Sequence, residues 1–223
     1  AEYRVPFLAH ATMEPLNATA HITAGGLEVW SGNQLPSFTR RACADAAGLP
    51  ENRVTVHTTL MGGGFGRRGE LDFSVLATRV AIALPGTPVM TTWSREEDMR
   101  RDFYRPAAIA RMRGAVKDGG AVLFDAAVAG PSTARQALER WMGFAPPGPD
   151  KVHVEGLWNQ PCAIPNARAR GHVAPDLKVP VGFWRSVGNS YNGFFHESFV
   201  DEMAHAAGAD PLEFRLALAQ DAW

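Results

Sequence analysis

At 223 residues the chain is long enough to bury a substantial core in one domain or two. Apolar residues make up 46% and charged residues 20%, the balance of an ordinary globular protein rather than a disordered or fibrous one. With 22 Lys and Arg against 23 Asp and Glu the formal charge is −1, which removes the electrostatic case for nucleic-acid binding, and no apolar run reaches the length of a membrane span.

In chain order, Ala18, Ala20 and Ile22 alternate, Gly25-Gly26 turns, and Leu27, Val29 and Trp30 return, predicting a hairpin over 17–30. Leu35, Phe38, Ala42 and Ala46 form a helical stripe ended by Gly48 and Pro50. Val54, Val56, Thr58 and Leu60 alternate as one face of a strand, and Leu71, Val75, Thr78 and Ile82 recur at helical spacing. A short strand is expected over Val89 to Trp93, then a helix opened by a Ser94/Glu97 capping box. Ile109 to Val116 and Ala121 to Val128 flank Lys117-Asp118-Gly119-Gly120 as a second hairpin, and Thr133 to Met142 reads as helix. Pro146-Pro147-Gly148-Pro149 breaks regular structure and sets a predicted division into 1–145 and 146–223. Beyond it the chain reads as irregular until Phe194, where Phe195, Phe199, Met203 and Ala206 line a helix face stopped by Gly208. Asp210, Pro211 and Glu213 then open a last helix. Strands and helices mix without strict alternation, so the predicted class is α+β, mixed sheets with packed helices.

Between the strand near 54–60 and the helix near 71–84 lies Met61-Gly62-Gly63-Gly64-Phe65-Gly66-Arg67-Arg68, a loop with almost no side chain. Glycines in that number weaken regular structure and let bare backbone approach a ligand. Amides ahead of a helix favour an anion, and Arg67 and Arg68 add positive charge, so the loop is expected to meet a phosphate-bearing cofactor. Gly64-Phe65-Gly66-Arg67-Arg68-Gly69 also fits G-x-G-x-x-G, but it does not open the first strand–helix unit, and the ribose-binding acid expected ~20 residues on is replaced by Pro85-Gly86-Thr87-Pro88. A second loop, Val181-Gly182-Phe183-Trp184-Arg185-Ser186-Val187-Gly188, also precedes an amphipathic helix, and the two could clasp one anion from opposite sides.

Other constellations are weaker. His196-Glu197 begins like a zinc-protease motif, but Val200 stands where the second histidine belongs. His10 and Glu14 share one short segment and read as a hydrogen-bonded pair or as solvated residues rather than an acid–base set. Cys43 and Cys162 stand far apart, which excludes an Fe–S cluster or structural zinc built from this chain's cysteines. They read as two buried thiols, with one disulfide left open. The absence of an initial methionine before Ala1 and the stop at Trp223 read as a processed product or a piece of a longer chain.

Four segments in order carry a resemblance: His10-Ala11-Thr12-Met13-Glu14-Pro15, the loop 61–68, Ser94-Arg95-Glu96-Glu97-Asp98-Met99, and Gly182 to Gly188. Together they resemble the molybdenum-binding large subunit of the xanthine dehydrogenase and aldehyde oxidase family, in particular the branch of the isoquinoline 1-oxidoreductase β subunit. The resemblance implies a molybdopterin cofactor, in bacteria often the cytosine dinucleotide, and hydroxylation of an N-heterocycle or aldehyde with oxygen from water. It implies cofactor contacts from Gly63, Gly64, Phe65, Gly66 and Arg67, with Trp184, Arg185 and Ser186 as the facing loop. It further implies a partner [2Fe-2S] subunit and the remainder of the large subunit. The family's catalytic glutamate, in a late Gly-Glu-Pro-like segment, has no counterpart here, so no catalytic or metal-ligating residue is assigned and the isolated fragment is expected to be inactive. Gly69 stands where purine-oxidising relatives carry a glutamate, with Glu70 one residue late. Localisation is left open between cytoplasm and periplasm. The competing reading is a stand-alone α+β module that binds an anionic ligand without redox chemistry.

Overall fold

The structure, a computed structural model, describes residues 1–145, 147–174 and 178–219; Pro146 of the predicted boundary and Trp223 lie outside the described residues. The elements run β1 (Glu2–Val5), β2 (Asn17–Thr23), β3 (Gly26–Ser31), α1 (Pro36–Ala47), β4 (Val54–Thr58), α2 (Asp72–Ile82), β5 (Val89–Thr92), α3 (Arg95–Arg100), β6 (Ala108–Lys117), β7 (Gly120–Gly130), α4 (Thr133–Met142), β8 (Asn166–Val173), α5 (Asn189–Ala206) and α6 (Pro211–Leu218). They form two mixed four-stranded sheets, ordered β4-β3-β2-β5 and β1-β6-β7-β8. The class is α+β.

Each sheet has its own apolar core. In the first, Ala18, Ala20, Leu27 and Val29 meet Cys43 and Ala44 of α1 and Phe73, Ala77 and Ala81 of α2. In the second, Ala110, Met112, Phe124 and Val128 meet Phe195, Phe199, Val200 and Met203 of α5. Phe73 and Phe195 are both fully buried, each contributing roughly 2–3 kcal/mol relative to an exposed ring. These cores do not divide between residues 145 and 146, because β7 and β8, from either side of that point, pair in parallel from Leu123↔Asn166 to Gly130↔Val173.

Several elements match their sequence patterns, with physical exceptions. Asp210 caps Leu212 and Glu213 ahead of α6 as predicted, and Ser94 Oγ accepts from Glu97 N at 3.2 Å, but the reciprocal half of the predicted capping box is missing because the Glu97 carboxylate pairs with Arg101. The first hairpin turns at Ala24-Gly25, one residue before the predicted pair, since Thr23 pairs with Gly26. Leu60 is not part of the strand; β4 ends at Thr58 and the Leu60 side chain is 98% exposed. In α2 the buried face is Phe73, Ser74, Ala77, Thr78 and Ala81, whereas Ile82 is exposed. In α1 it is Thr39, Cys43 and Ala44, with the predicted stripe half-buried on its flank. Helix α5 begins at Asn189, five residues earlier than the apolar stripe indicates, because Tyr191 and Asn192 are buried in its first turn beside His153. Ala206, at the end of the predicted stripe, is exposed.

Strands β1 and β8 lie in stretches where the sequence predicts no regular element. Both are edge strands with half or more of each strand in water, so neither carries an uninterrupted apolar alternation.

Candidate functional site

The segments 10–15, 61–68, 94–99 and 182–188 converge in space. Glu14 and Gly62 exchange bonds: Glu14 N donates to Gly62 O at 3.1 Å, and Gly62 N donates to Glu14 Oε2. Arg95 donates to the carbonyls of Thr12 and Met13. His10 spans the gap to the last segment, with Nδ1 2.9 Å from Asp102 Oδ1 and Nε2 2.9 Å from the Phe183 carbonyl. The pair expected from sequence does not form: His10 is buried and bonded to Asp102 and Phe183, and Glu14 to Asn17 and Gly62.

The loop 61–68 is fixed from behind by its own arginines. Arg67 and Arg68 are both 1% exposed. Arg67 makes a bidentate contact with Asp72 at 2.8 Å through each of two nitrogens, and its Nε lies 3.1 Å from Asp102 Oδ1 in an ion pair outside hydrogen-bond alignment. Burial opposes its charge, but the bond to Asp72 and the charges of Asp72 and Asp102 outweigh it and hold the guanidinium above its ordinary pKa. Arg68 donates to the carbonyls of Gly63, Gly32 and Glu14, and burial pulls its pKa down. The sequence expectation that these two arginines supply positive charge to a ligand is corrected: both guanidiniums point into the protein and are consumed there. The loop is also not the N-terminus of α2, because a 3-10 turn at Arg67–Gly69 and residues Glu70 and Leu71 intervene.

What the loop offers instead is backbone. The N–H groups of Gly63, Gly64 and Phe65 donate to no described residue, and neither do those of Trp184, Arg185 and Ser186. The two loops touch at their bases: a Cβ on Gly66, whose φ is +106°, would lie 1.5 Å from Phe183 O, and Arg185 sits 5.9 Å from the Phe65 ring centre. Backbone strain concentrates here. Of the five non-glycine residues with positive φ among the described residues, Ala11, Phe65, Ser186 and Val187 belong to these segments; the fifth, Asp118, is in a hairpin turn. Val187, β-branched at φ +51°, is an outlier that only surrounding structure can hold.

Residues outside the sequence-predicted set complete the site. Gln34 Oε1 accepts from Gly66 N at 3.1 Å, while its own backbone N donates to Arg68 O at 2.8 Å, leaving the side-chain NH2 without a described partner beside Gly64. Its signal was the Ser31-Gly32-Asn33-Gln34 break directly after β3, a polar turn at the same end of the sheet as the glycine loop. Glu70, 3% exposed, is bound by Arg140, which also donates to Val181 O at 2.8 Å, tying the exit of the first loop to the entry of the second. It is a structural residue, not a ligand-facing acid. Among the described residues no group of three or more His, Cys, Asp or Glu is placed to hold a metal ion, and Cys43 and Cys162 are free thiols, Cys43 buried and Cys162 half-buried.

The donor set fits an anionic, backbone-recognised group: six unpaired amides, an exposed arginine and a primary amide, on a surface where added Cβ atoms would clash. A family model described as molybdopterin cofactor-binding domain matches residues 1–218. The chain is 31% identical over 222 residues to the membrane-bound aldehyde dehydrogenase [pyrroloquinoline-quinone] of Gluconacetobacter polyoxogenes, covering 97% of this chain and 29% of that protein. It is 31% identical over 219 residues to the isoquinoline 1-oxidoreductase subunit beta of Brevundimonas diminuta, covering 97% and 28%. Aldehyde oxidoreductase from Desulfovibrio gigas superposes with a TM-score of 0.82 at 22% identity, over 99% of this chain and 24% of that one, which shows the shared fold. The chain thus spans under a third of the length of these relatives. It belongs to the molybdopterin cofactor-binding domain family, of the xanthine dehydrogenase and aldehyde oxidase type.

Proposed function

We propose that this chain forms one wall of the cofactor site in the large subunit of a molybdenum hydroxylase acting on N-heterocycles or aldehydes. The observation that carries the reading is the pairing of two strained loops, each with three consecutive unpaired amides. Gly63, Gly64, Phe65 and Gly66 would hold the cofactor through backbone and the absence of side chains, with Gln34 NH2 as an added donor beside them. Trp184, Arg185 and Ser186 would close over it, Arg185 being the exposed cation of the site. Arg67 would act only through its main chain, its guanidinium serving to orient the loop. When bound, the molybdopterin group, proposed here as the cytosine dinucleotide, supplies two-electron oxidation with oxygen drawn from water.

The rest of the large subunit would supply the general base, and a partner carrying [2Fe-2S] clusters would take the electrons. The isolated chain is accordingly inactive. Metal analysis and turnover assays on the purified 223-residue chain test this: little molybdenum and no oxidation of aldehydes or N-heterocycles are expected. Stoichiometric molybdenum with turnover would overturn it. For the site itself, Gly64→Val in the full-length parent should abolish molybdenum retention while the fold, read by circular dichroism, persists; full retention of the metal would remove this loop from the cofactor wall.

A further inference from the structure

Behind the glycine loop, on the far side of Arg67, lies a cleft of ≈ 850 Å³ between α2, α3 and the strand leading into it. Its walls are apolar and aromatic, formed by Val75, Leu76, Trp93, Phe103 and Tyr104. None of its lining residues belongs to the loops 61–68 or 182–188. This volume is in the range of a small-molecule site.

Its charges are unbalanced in a specific way. Three acids line it, and two arginines pair with them: Arg67 is shared between Asp72 and Asp102, and Arg101 pairs with Glu97. The two remaining arginines, Arg79 on α2 and Arg100 at the end of α3, make no ion pair and no side-chain hydrogen bond to any described residue. With Arg67 counted once, the four guanidiniums of Arg67, Arg79, Arg100 and Arg101 stand against three carboxylates, so the cleft carries one positive charge in excess and two guanidiniums not engaged by the protein. Independently, Trp93 is 9% exposed and its indole Nε1 is buried with no acceptor. A buried donor without a partner is an uncommon and costly feature, and it is relieved by any ligand that brings an oxygen to it.

From these groups we infer that the cleft is a second ligand site, specific for a flat aromatic carboxylate: the ring against Trp93, Phe103 and Leu76, the carboxylate toward Arg79 and Arg100, and an acceptor oxygen for Trp93 Nε1. Guanidinium forks match planar carboxylates, and aromatic walls match planar rings. The site needs no cofactor, so its test is independent of the proposed hydroxylase reading.

Ligand-observed NMR titration of the full 223-residue chain with 2-naphthoate tests it. Saturable binding at about millimolar affinity or tighter is expected for a ligand of this size. Arg79→Gln and Arg100→Gln should each weaken binding about threefold and the double variant about tenfold, the modest effects of exposed cations. Both guanidiniums are exposed and unpaired, so these variants retain the fold. Trp93→Phe, which keeps a ring and removes the N–H, should weaken it about threefold to tenfold. The neutral isostere 2-naphthamide should bind much more weakly than the acid. Absence of saturation by about 10 mM, equal binding of the amide, or an unchanged affinity in the double variant would each overturn the proposal. Tighter binding of AMP than of 2-naphthoate would overturn the carboxylate assignment in favour of phosphate.

Discussion

The two loops of the candidate site look alike in sequence, glycine with arginine ahead of a helix, yet they are held in opposite ways. The loop 61–68 turns its arginines inward, where Arg67 and Arg68 are 1% exposed and bind Asp72, Asp102 and five backbone carbonyls. The loop 182–188 leaves Arg185 exposed, over the Phe65 ring, and is held through the Phe183 carbonyl and a turn closed by Val187 N to Trp184 O at 2.7 Å. An arginine beside a glycine run thus has two uses. It can fix the bare backbone from within, as Arg67 and Arg68 do, or stay at the surface, as Arg185 does beside the Phe65 ring.

The sharpest way to break this comparison is to remove the inner cation. Arg67→Met leaves Asp72 and Asp102 without their shared partner and should cost about 3–5 kcal/mol in chemical denaturation, against almost nothing for Arg185→Gln. A loss below about 1 kcal/mol would show that the buried network does not anchor the loop. Next in size, Gly66→Ala forces a Cβ onto Phe183 O at a positive φ and should cost about 2–4 kcal/mol, with lowered amide protection at both loops. Protection lost at 61–68 alone would argue that the loops are not coupled at their bases.

A smaller effect concerns Glu14. Hydrogen bonds from the Asn17 side chain and then from Gly62 N–H hold its carboxyl below the ordinary glutamate value of 4.5. Its folded pKa is depressed, so its contribution is complete above the unfolded value and disappears as pH falls through the folded one. Exchange protection of the Gly62 amide should therefore drop on acidification below 4.5, and Glu14→Gln should flatten that part of the profile. An identical pH profile in the variant would exclude Glu14 as the group responsible. Smallest of all, Arg185→Gln should move stability by no more than about 0.5 kcal/mol while reducing molybdenum retention in the full-length parent; a large stability loss would make it a second internal anchor.

Much of this was legible from residues. Both hairpins, the caps at Ser94 and Asp210, and the strand–loop–helix setting of the glycines follow local chemistry that the fold leaves intact. The direction of Arg67 was not legible, because its partner Asp102 is far along the chain and carries no local pattern. Arg140 was invisible for the same reason, and of Gln34 only the polar break after β3 was legible, not its partner: each acts on a loop that only tertiary structure brings near. The edge strands β1 and β8 lacked the alternation that burial imposes, and α5 began early because its first turn buries polar Asn192 and Tyr191 rather than aliphatic residues.

The bridge made by His10 has a consequence for the order of events. Its two ring contacts join residues 92 and 173 positions apart, so the pairing of the loops is among the most non-local features of the chain. Non-local contacts form late, after the loop-closure entropy has been met by earlier structure. Both sheets can assemble while the two glycine-containing segments are still separate, and the amide cradle exists only once Phe183 has docked on His10. A nascent or truncated chain lacking residues near 183 would then fold much of its first core, yet present no site into which a cofactor could be loaded.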